Sequence, residues 1–304
     1  MNIRLDGKVA VVTGAGRGLG KAYALDLASR GARVVVNDLG GAEDGSGESK
    51  TPAQEVVEEI KAVGGEAIAD FNSVTEPEGA RAIIQTALDS FGTVDILINN
   101  AGVLRDKTFL KMPLEDFEFV IRVHLMGTVY VTKAAFPIMR EKGYGRIVLA
   151  TSTAALYGNF GQTNYTAAKM GIVGFMNSLK EEGRRYNILV NTIAPLAASR
   201  LGVGIFPEDI MKFMRPQLVS SLVVYLCSDR CTSTGDIISA GIGYYAKTQM
   251  MECQGVRFEP KTDVTPEMVA EDYKNITSME GARPFVNSGE AFLAVLGPLA
   301  PRRE

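Results

Sequence analysis

Contiguous apolar runs alternate with helical patterns along most of the chain. "KVAVVTG" (8–14), "ARVVVND" (32–38), "EAIADF" (66–71), "VDILINNAG" (94–102), "GRIVLATS" (145–152) and "NILVNTIAP" (187–195) are short, rich in Val and Ile, and do not alternate apolar with polar. Such runs predict strands covered on both faces. Between them, "GKAYALDLASRG" (20–31), "TPAQEVVEEIKAVGG" (51–65), "EPEGARAIIQTALDSFG" (76–92) and "AAKMGIVGFMNSLKEEGRR" (167–185) space their apolar residues as helices do. Pro52 sits in the first turn of the second helix and glycines close it. Strands alternating with helices predict an α/β fold, a doubly wound parallel sheet of Rossmann type.

Two stretches break the rhythm. "GGAEDGSGESK" (40–50) reads as a mobile Gly/Ser/acidic loop. From about residue 250 the alternation stops, although "TPEMVAEDYKNI" (265–276) predicts one more helix. The expected organisation is therefore a main domain over 1–249 and an extension over 250–304 that packs on the core or on a partner subunit.

Composition narrows the function classes. The 304 residues are 46% hydrophobic and 22% charged, and the net charge is -3. That balance, with cations scattered, argues against a nucleic-acid partner and against a membrane surface. No apolar stretch approaches the roughly 18 residues of a membrane span. "MNIRLDGKVAVVTG" enters a strand at once and "APRRE" carries no peroxisomal tripeptide, so neither leader nor address is expected. Three cysteines offer no pairing framework, which suits a reducing compartment; the expected location is cytoplasmic. Cys227 and Cys231, in a chain with one histidine, read as core residues rather than as a metal site.

The first candidate chemistry lies where strand one meets its helix. In "TGAGRGLG", Gly14, Gly18 and Gly20 flank Arg17 and Leu19. Glycines here let backbone turn sharply and bring helix N–H groups against a pyrophosphate. Asp38 closes the second strand, where a carboxylate accepts from both hydroxyls of an adenosine ribose. A 2′-phosphate about 4 Å away would be repelled by roughly 4 kcal/mol at a dielectric near 20, so NAD is the expected cofactor. Arg17 pulls toward NADP, but it can swing into solvent.

The second candidate is "TNYTAAKMG". Tyr165 and Lys169 share a helix face, and Ser152 ends the strand before them. A phenol titrates near pH 10 and is a poor base at neutrality. An ammonium about 5 Å away favours phenolate by roughly 3 kcal/mol. The positive nicotinamide of an oxidised cofactor adds to this, and Tyr165 can then accept a proton from a substrate hydroxyl that Ser152 holds by a hydrogen bond.

"TGAGRGLG", "NNAG" (99–102) and the Ser152, Tyr165, Lys169 set together resemble the short-chain dehydrogenases/reductases over residues 7 to about 245. The resemblance implies that Asn100 and Gly102 line the cofactor cleft and that Asn72 and Ser73 meet adenine, with Asn72 where an aspartate is usual. It also implies that Ala197 and Ser199, in "APLAASR", touch the cofactor through backbone, and that Lys169 reaches the nicotinamide ribose. His124 stands where the family usually has asparagine holding a water behind the lysine, so it is expected to position or relay that proton path. The stretches 125–142 and 164–183 form the family's dimer interface, which implies a homodimer or homotetramer.

"VVVNDLGG", "NNAGVLRDKTF", "RVHLMG", "YGNFGQTNYTAAK" and "NTIAP" are similar to the (3R)-hydroxyacyl-CoA dehydrogenase subgroup found in multifunctional enzymes. That similarity implies NAD-dependent oxidation of a 3-hydroxyacyl thioester by a stand-alone enzyme. Phe206, Met211, Phe213 and Met214 are expected to offer apolar lining; Arg105, Lys107 and Lys111 read as solubilising loop cations, with contact to CoA phosphates as the alternative. A steroid or other secondary alcohol is the second substrate reading. A cofactor-binding sensor or assembly subunit without turnover is the third.

Overall fold

The computed structural model describes residues 2–197, 207–259 and 261–297. Strands β1 (Val9–Thr13) and β2 (Arg33–Asn37) flank helix α1 (Gly18–Ser29); α2 (Thr51–Ala62), β3 (Ala67–Asp70), α3 (Pro77–Phe91) and β4 (Ile96–Asn99) follow. Next come α4 (Leu114–Ile121), a π-helical turn over Arg122–Met126, α5 (Gly127–Lys142), β5 (Gly145–Ala150), the short α6 (Thr153–Tyr157), α7 (Thr163–Gly183) and β6 (Ile188–Leu196). After α8 (Glu208–Met211) and α9 (Pro216–Cys227), β7 (Ile237–Gly241) and β8 (Tyr244–Thr248) complete one eight-stranded sheet, ordered β3-β2-β1-β4-β5-β6-β7-β8.

Every pairing from β3 across to β7 is parallel. The reason is visible in the strand residues. Ala10 and Val12 belong to the cluster that holds α1, α2 and α9. Val9 and Val11 belong to the cluster that holds α3, α5 and α7. Consecutive side chains of β1 thus enter two separate cores, which only a strand apolar at every position can satisfy.

The order reverses between β1 and β4, where the chain leaves β1 for β2 on one side and reaches β4 on the other. A cleft opens there at the carboxyl ends of the strands, the usual ligand position in such sheets.

The chain divides into two compact units, Met1–Lys247 and Thr248–Glu304. In the second unit, Thr265 Oγ1 caps α10 (Pro266–Ile276) by accepting from the Met268 N–H, and Asn287 Oδ1 caps α11 (Ser288–Leu296) by accepting from the Glu290 N–H. Side-chain caps of this kind satisfy N–H groups that a helix start leaves without partners.

Candidate active site

The glycine loop is shaped by close approach. A Cβ on Gly20 would come 2.1 Å from the Gly14 carbonyl oxygen, so no other residue fits there. Asn100 braces the loop: its amide donates to the carbonyls of Thr13 (3.1 Å) and Gly14 (3.0 Å). The Thr13 hydroxyl accepts from the backbone N–H of Asn100 and Ala101, tying the ends of β1 and β4 together. No side chain caps the start of α1 and no acidic residue sits in its first turn. Its leading N–H groups are left for an anion, as a pyrophosphate requires.

Asp38 is held rather than loose. Oδ2 accepts from the Gly16 N–H at 2.7 Å and Oδ1 from the Gly40 N–H at 2.6 Å. Arg17 is exposed, with one guanidinium nitrogen 3.4 Å from the Gly41 carbonyl. Both residues line a single cavity with Gly14, Gly18, Leu19, Asn72, Ser73, Asn100, Gly102, His124, Tyr165 and Lys169. The residues expected from the sequence to hold a dinucleotide thus line one cavity with Tyr165 and Lys169. Gly20 lies behind this wall against Gly14. Ala197 packs against the core, and Pro195 lines the cavity instead. Ser199 and Phe206 lie outside the described residues. Met214 is buried and Phe213 exposed, and among the described residues neither lines the cavity, nor does Met211.

Asn72 has a determined orientation. Its amide nitrogen donates to Asp70 Oδ2 at 2.8 Å, and a carboxylate can only accept. The amide oxygen therefore remains as an acceptor, the same capacity an aspartate would bring. Asp70 is buried, and it also accepts from Asn37 Nδ2, the Asn72 N–H and the Thr86 hydroxyl.

Ser152 lies two residues beyond β5 and caps α6, its hydroxyl oxygen accepting from the Ala154 N–H at 3.1 Å. Lys169 is almost fully buried and donates to the Ala150 carbonyl at 2.7 Å, with its nitrogen 5.8 Å from the Tyr165 ring centre. Burial lowers the Lys169 ammonium from its ordinary value to about 7. Burial also raises the Tyr165 phenol above its ordinary value, and the Ser152 hydrogen bond only partly offsets this. The same dry environment disfavours both charges.

His124 lies in the π-helical turn, buried, with its ring edge-on to Tyr165 at 5.2 Å between centres. A Cβ on Gly102 would come 2.4 Å from His124 Cε1, so the ring needs a glycine opposite. Nε2 meets the Val103 backbone, 3.1 Å from its N–H nitrogen and 2.7 Å from its carbonyl. Nδ1 is buried with no hydrogen-bond partner among the described residues. Burial first, then the Lys169 charge, lowers the imidazole to about 3, so it stays neutral at neutral pH.

Several lining residues left no mark in the sequence. Gly41, Ala42 and Gly45 come from the stretch expected to be a mobile loop, Leu39 from just before it, and Val103, Phe119 and Val123 from around α4. Arg105 and Lys107, the alternative CoA contacts, both pair with Asp116, at 3.1 and 2.9 Å.

Residues 8–199 match the family described as short chain dehydrogenase. Among curated proteins, the chain is 46% identical over 304 residues to peroxisomal multifunctional enzyme type 2 of Drosophila melanogaster, covering 99% of this chain and 50% of that protein. It is 47% identical over 296 residues to peroxisomal multifunctional enzyme A of Dictyostelium discoideum, covering 97% of this chain and 66% of that protein. The chain thus spans between half and two thirds of these relatives. Among solved structures, the full-length Drosophila melanogaster enzyme superposes with a TM-score of 0.83 at 39% identity, over 98% of this chain and 50% of that one. A 7α-hydroxysteroid dehydrogenase complexed with NADH and 7-oxo glycochenodeoxycholic acid superposes at 0.72 with 31% identity, over 80% of this chain and 96% of that one. No helix among the described residues is long and apolar enough to cross a membrane. The braced glycine loop, the pinned strand-end carboxylate and the Ser, Tyr, Lys set fall within the matched span, and the chain belongs to the short chain dehydrogenase family of oxidoreductases.

Proposed function

We propose that this chain oxidises a 3-hydroxyacyl-CoA, in its 3R form, to the 3-oxoacyl thioester with NAD, Tyr165 taking the proton. The observation that carries the chemistry is Tyr165 and Lys169 lining one cavity with Asp38, the Lys169 nitrogen 5.8 Å from the Tyr165 ring centre. Support for the acyl substrate comes from the relatives, which are multifunctional enzymes and, in yeast, a peroxisomal hydratase-dehydrogenase-epimerase.

The residues present fit the dinucleotide: uncapped N–H groups of α1 for its pyrophosphate, Asp38 for the adenosine ribose, and the Asn72 amide oxygen for adenine. When bound, oxidised nicotinamide supplies the hydride acceptor and a positive charge that opposes the burial penalty on a phenolate. Ser152 holds the substrate oxygen so that its proton faces Tyr165. Tyr165 accepts that proton, and Lys169, with a pKa of about 7, can pass it toward solvent at working pH.

His124 acts here as a positioning residue, keeping the Tyr165 ring and the space behind Lys169 in place while remaining uncharged. His124→Phe is expected to lower kcat about tenfold; an unchanged kcat and pH profile would end this role. The same variant has a stability signature. The imidazole pKa is depressed in the folded chain, to about 3 from an ordinary 6.5. The unfolded chain therefore gains a proton first as pH falls. Stability is full above 6.5 and is lost from 6.5 toward 3, by about 1.4 kcal/mol per pH unit. Urea unfolding across that window should show a shallower acid limb in the variant.

The bile-acid-bound neighbour favours one second reading, a hydroxysteroid substrate. Rates of NAD and NADP reduction on R- and S-3-hydroxyacyl-CoA of several lengths, with hydroxysteroids alongside, separate the two. Turnover of the R thioesters with NAD is the expected result. Turnover of the steroids alone would replace the acyl reading. A homodimer or homotetramer through α5 and α7 and a cytoplasmic location complete the proposal, to be checked by sedimentation and by cell fractionation, in which a peroxisomal signal would overturn the location.

A further inference from the structure

The segment between β2 and α2 is fastened at both sides of the cleft. On the β2 side, the Ser49 N–H donates to the Leu39 carbonyl at 2.9 Å, and the Ala42 N–H to the Ser46 carbonyl at 2.8 Å, closing 39–49 into a compact loop. On the far side, the Leu104 N–H donates to the Glu43 carbonyl at 3.0 Å and Arg105 Nε to the Asp44 carbonyl at 2.9 Å. In the sheet, β2 and β4 flank β1. A loop that leaves β2 and is bonded to the chain leaving β4 must pass over the carboxyl end of β1, above the glycine loop. Its residues Leu39, Gly41, Ala42 and Gly45 line the cavity, next to Asp38 and Arg17.

Arg105 is itself held from three sides. One nitrogen meets the Asp44 carbonyl and another lies 3.1 Å from Asp116, while the guanidinium stacks 3.9 Å from the centre of the Phe119 ring. A planar donor with fixed direction suits this arrangement, in which charge, ring and carbonyl set one orientation.

We propose that residues 39–49 are a strap over the adenosine half of the bound dinucleotide and that Arg105 is the positioning residue that latches it. Exchange of the cofactor then requires Arg105 to release the Asp44 carbonyl. This inference rests on the dinucleotide reading of the cleft and adds to it a control on cofactor residence.

The test is the dissociation rate of NADH from the whole protein, followed by stopped-flow fluorescence on displacement with excess NAD. Arg105→Ala should release NADH roughly tenfold faster, the scale set by losing one hydrogen bond from a charged donor. Lys107→Ala removes the second partner of Asp116 but leaves the latch, and should release NADH at the wild-type rate. Gly45→Ala works from the strap itself: φ is +83° and a Cβ would meet the Phe119 ring at 2.8 Å and Val103 at 3.0 Å. It should lift the loop and speed release in the same direction, even if Arg105→Ala fails to fold. Wild-type rates in folded Arg105→Ala or in Gly45→Ala would overturn the strap, as would equal acceleration by Lys107→Ala. A wild-type protein that binds no NADH would overturn the dinucleotide reading and the strap together, a result distinct from unchanged rates.

Discussion

Tyr165→Phe is expected to lower kcat by a factor of about 10³ to 10⁴ while leaving NADH affinity within about threefold. The phenyl ring keeps the packing against the core and the edge-on contact with His124, so the cavity should hold its shape. Only the phenol oxygen is removed. Among the described residues, the two other titratable groups beside it are turned elsewhere: His124 is neutral and faces Val103, and the Lys169 nitrogen points to the Ala150 carbonyl. Steady-state rates with a 3-hydroxyacyl-CoA, paired with NADH fluorescence titration, check both halves. A variant retaining a tenth of the activity would show that another group takes the proton.

Asp38→Asn should move the NAD to NADP preference by about a hundredfold toward NADP. Repulsion between a carboxylate and a 2′-phosphate about 4 Å apart is roughly 4 kcal/mol at a dielectric near 20, which sets an upper limit near a thousandfold. The two backbone N–H groups on Asp38 absorb part of its charge, so the smaller figure is expected. Arg17, exposed and weakly tied at 3.4 Å to Gly41, is free to turn to the phosphate once the carboxylate is gone. Comparing kcat/KM for both cofactors in wild type and variant measures the shift. An unaltered ratio would mean that Asp38 does not face the ribose.

The strands were legible because β-branched residues at consecutive positions leave no face for water, and β1 shows why, sending Val9 and Val11 into one core and Ala10 and Val12 into the other. The glycine loop, Asp38 and the Ser152, Tyr165, Lys169 set were legible because their chemistry is tied to residue type and to the ends of strands. The rest depended on contacts that composition does not record. A π-helical turn inserts one residue into "IRVHLMG" with no change in apolar pattern, yet it sets where His124 points. The strap reads as a solvent loop by its glycines and acids, and the Arg105 bond that fastens it joins residues 61 positions apart. Burial, which raises the Tyr165 phenol and lowers the Lys169 ammonium, is likewise a property of packing and not of the four-residue spacing.

The central claim is that the buried phenol becomes a base through the charge that arrives with oxidised cofactor. An ultraviolet titration of tyrosinate, wild type minus Tyr165→Phe, with and without NAD measures this directly. The account predicts that Tyr165 titrates above 10 in the free protein and well below 10 with NAD bound. A Tyr165 that still titrates above 10 in the NAD complex would contradict it.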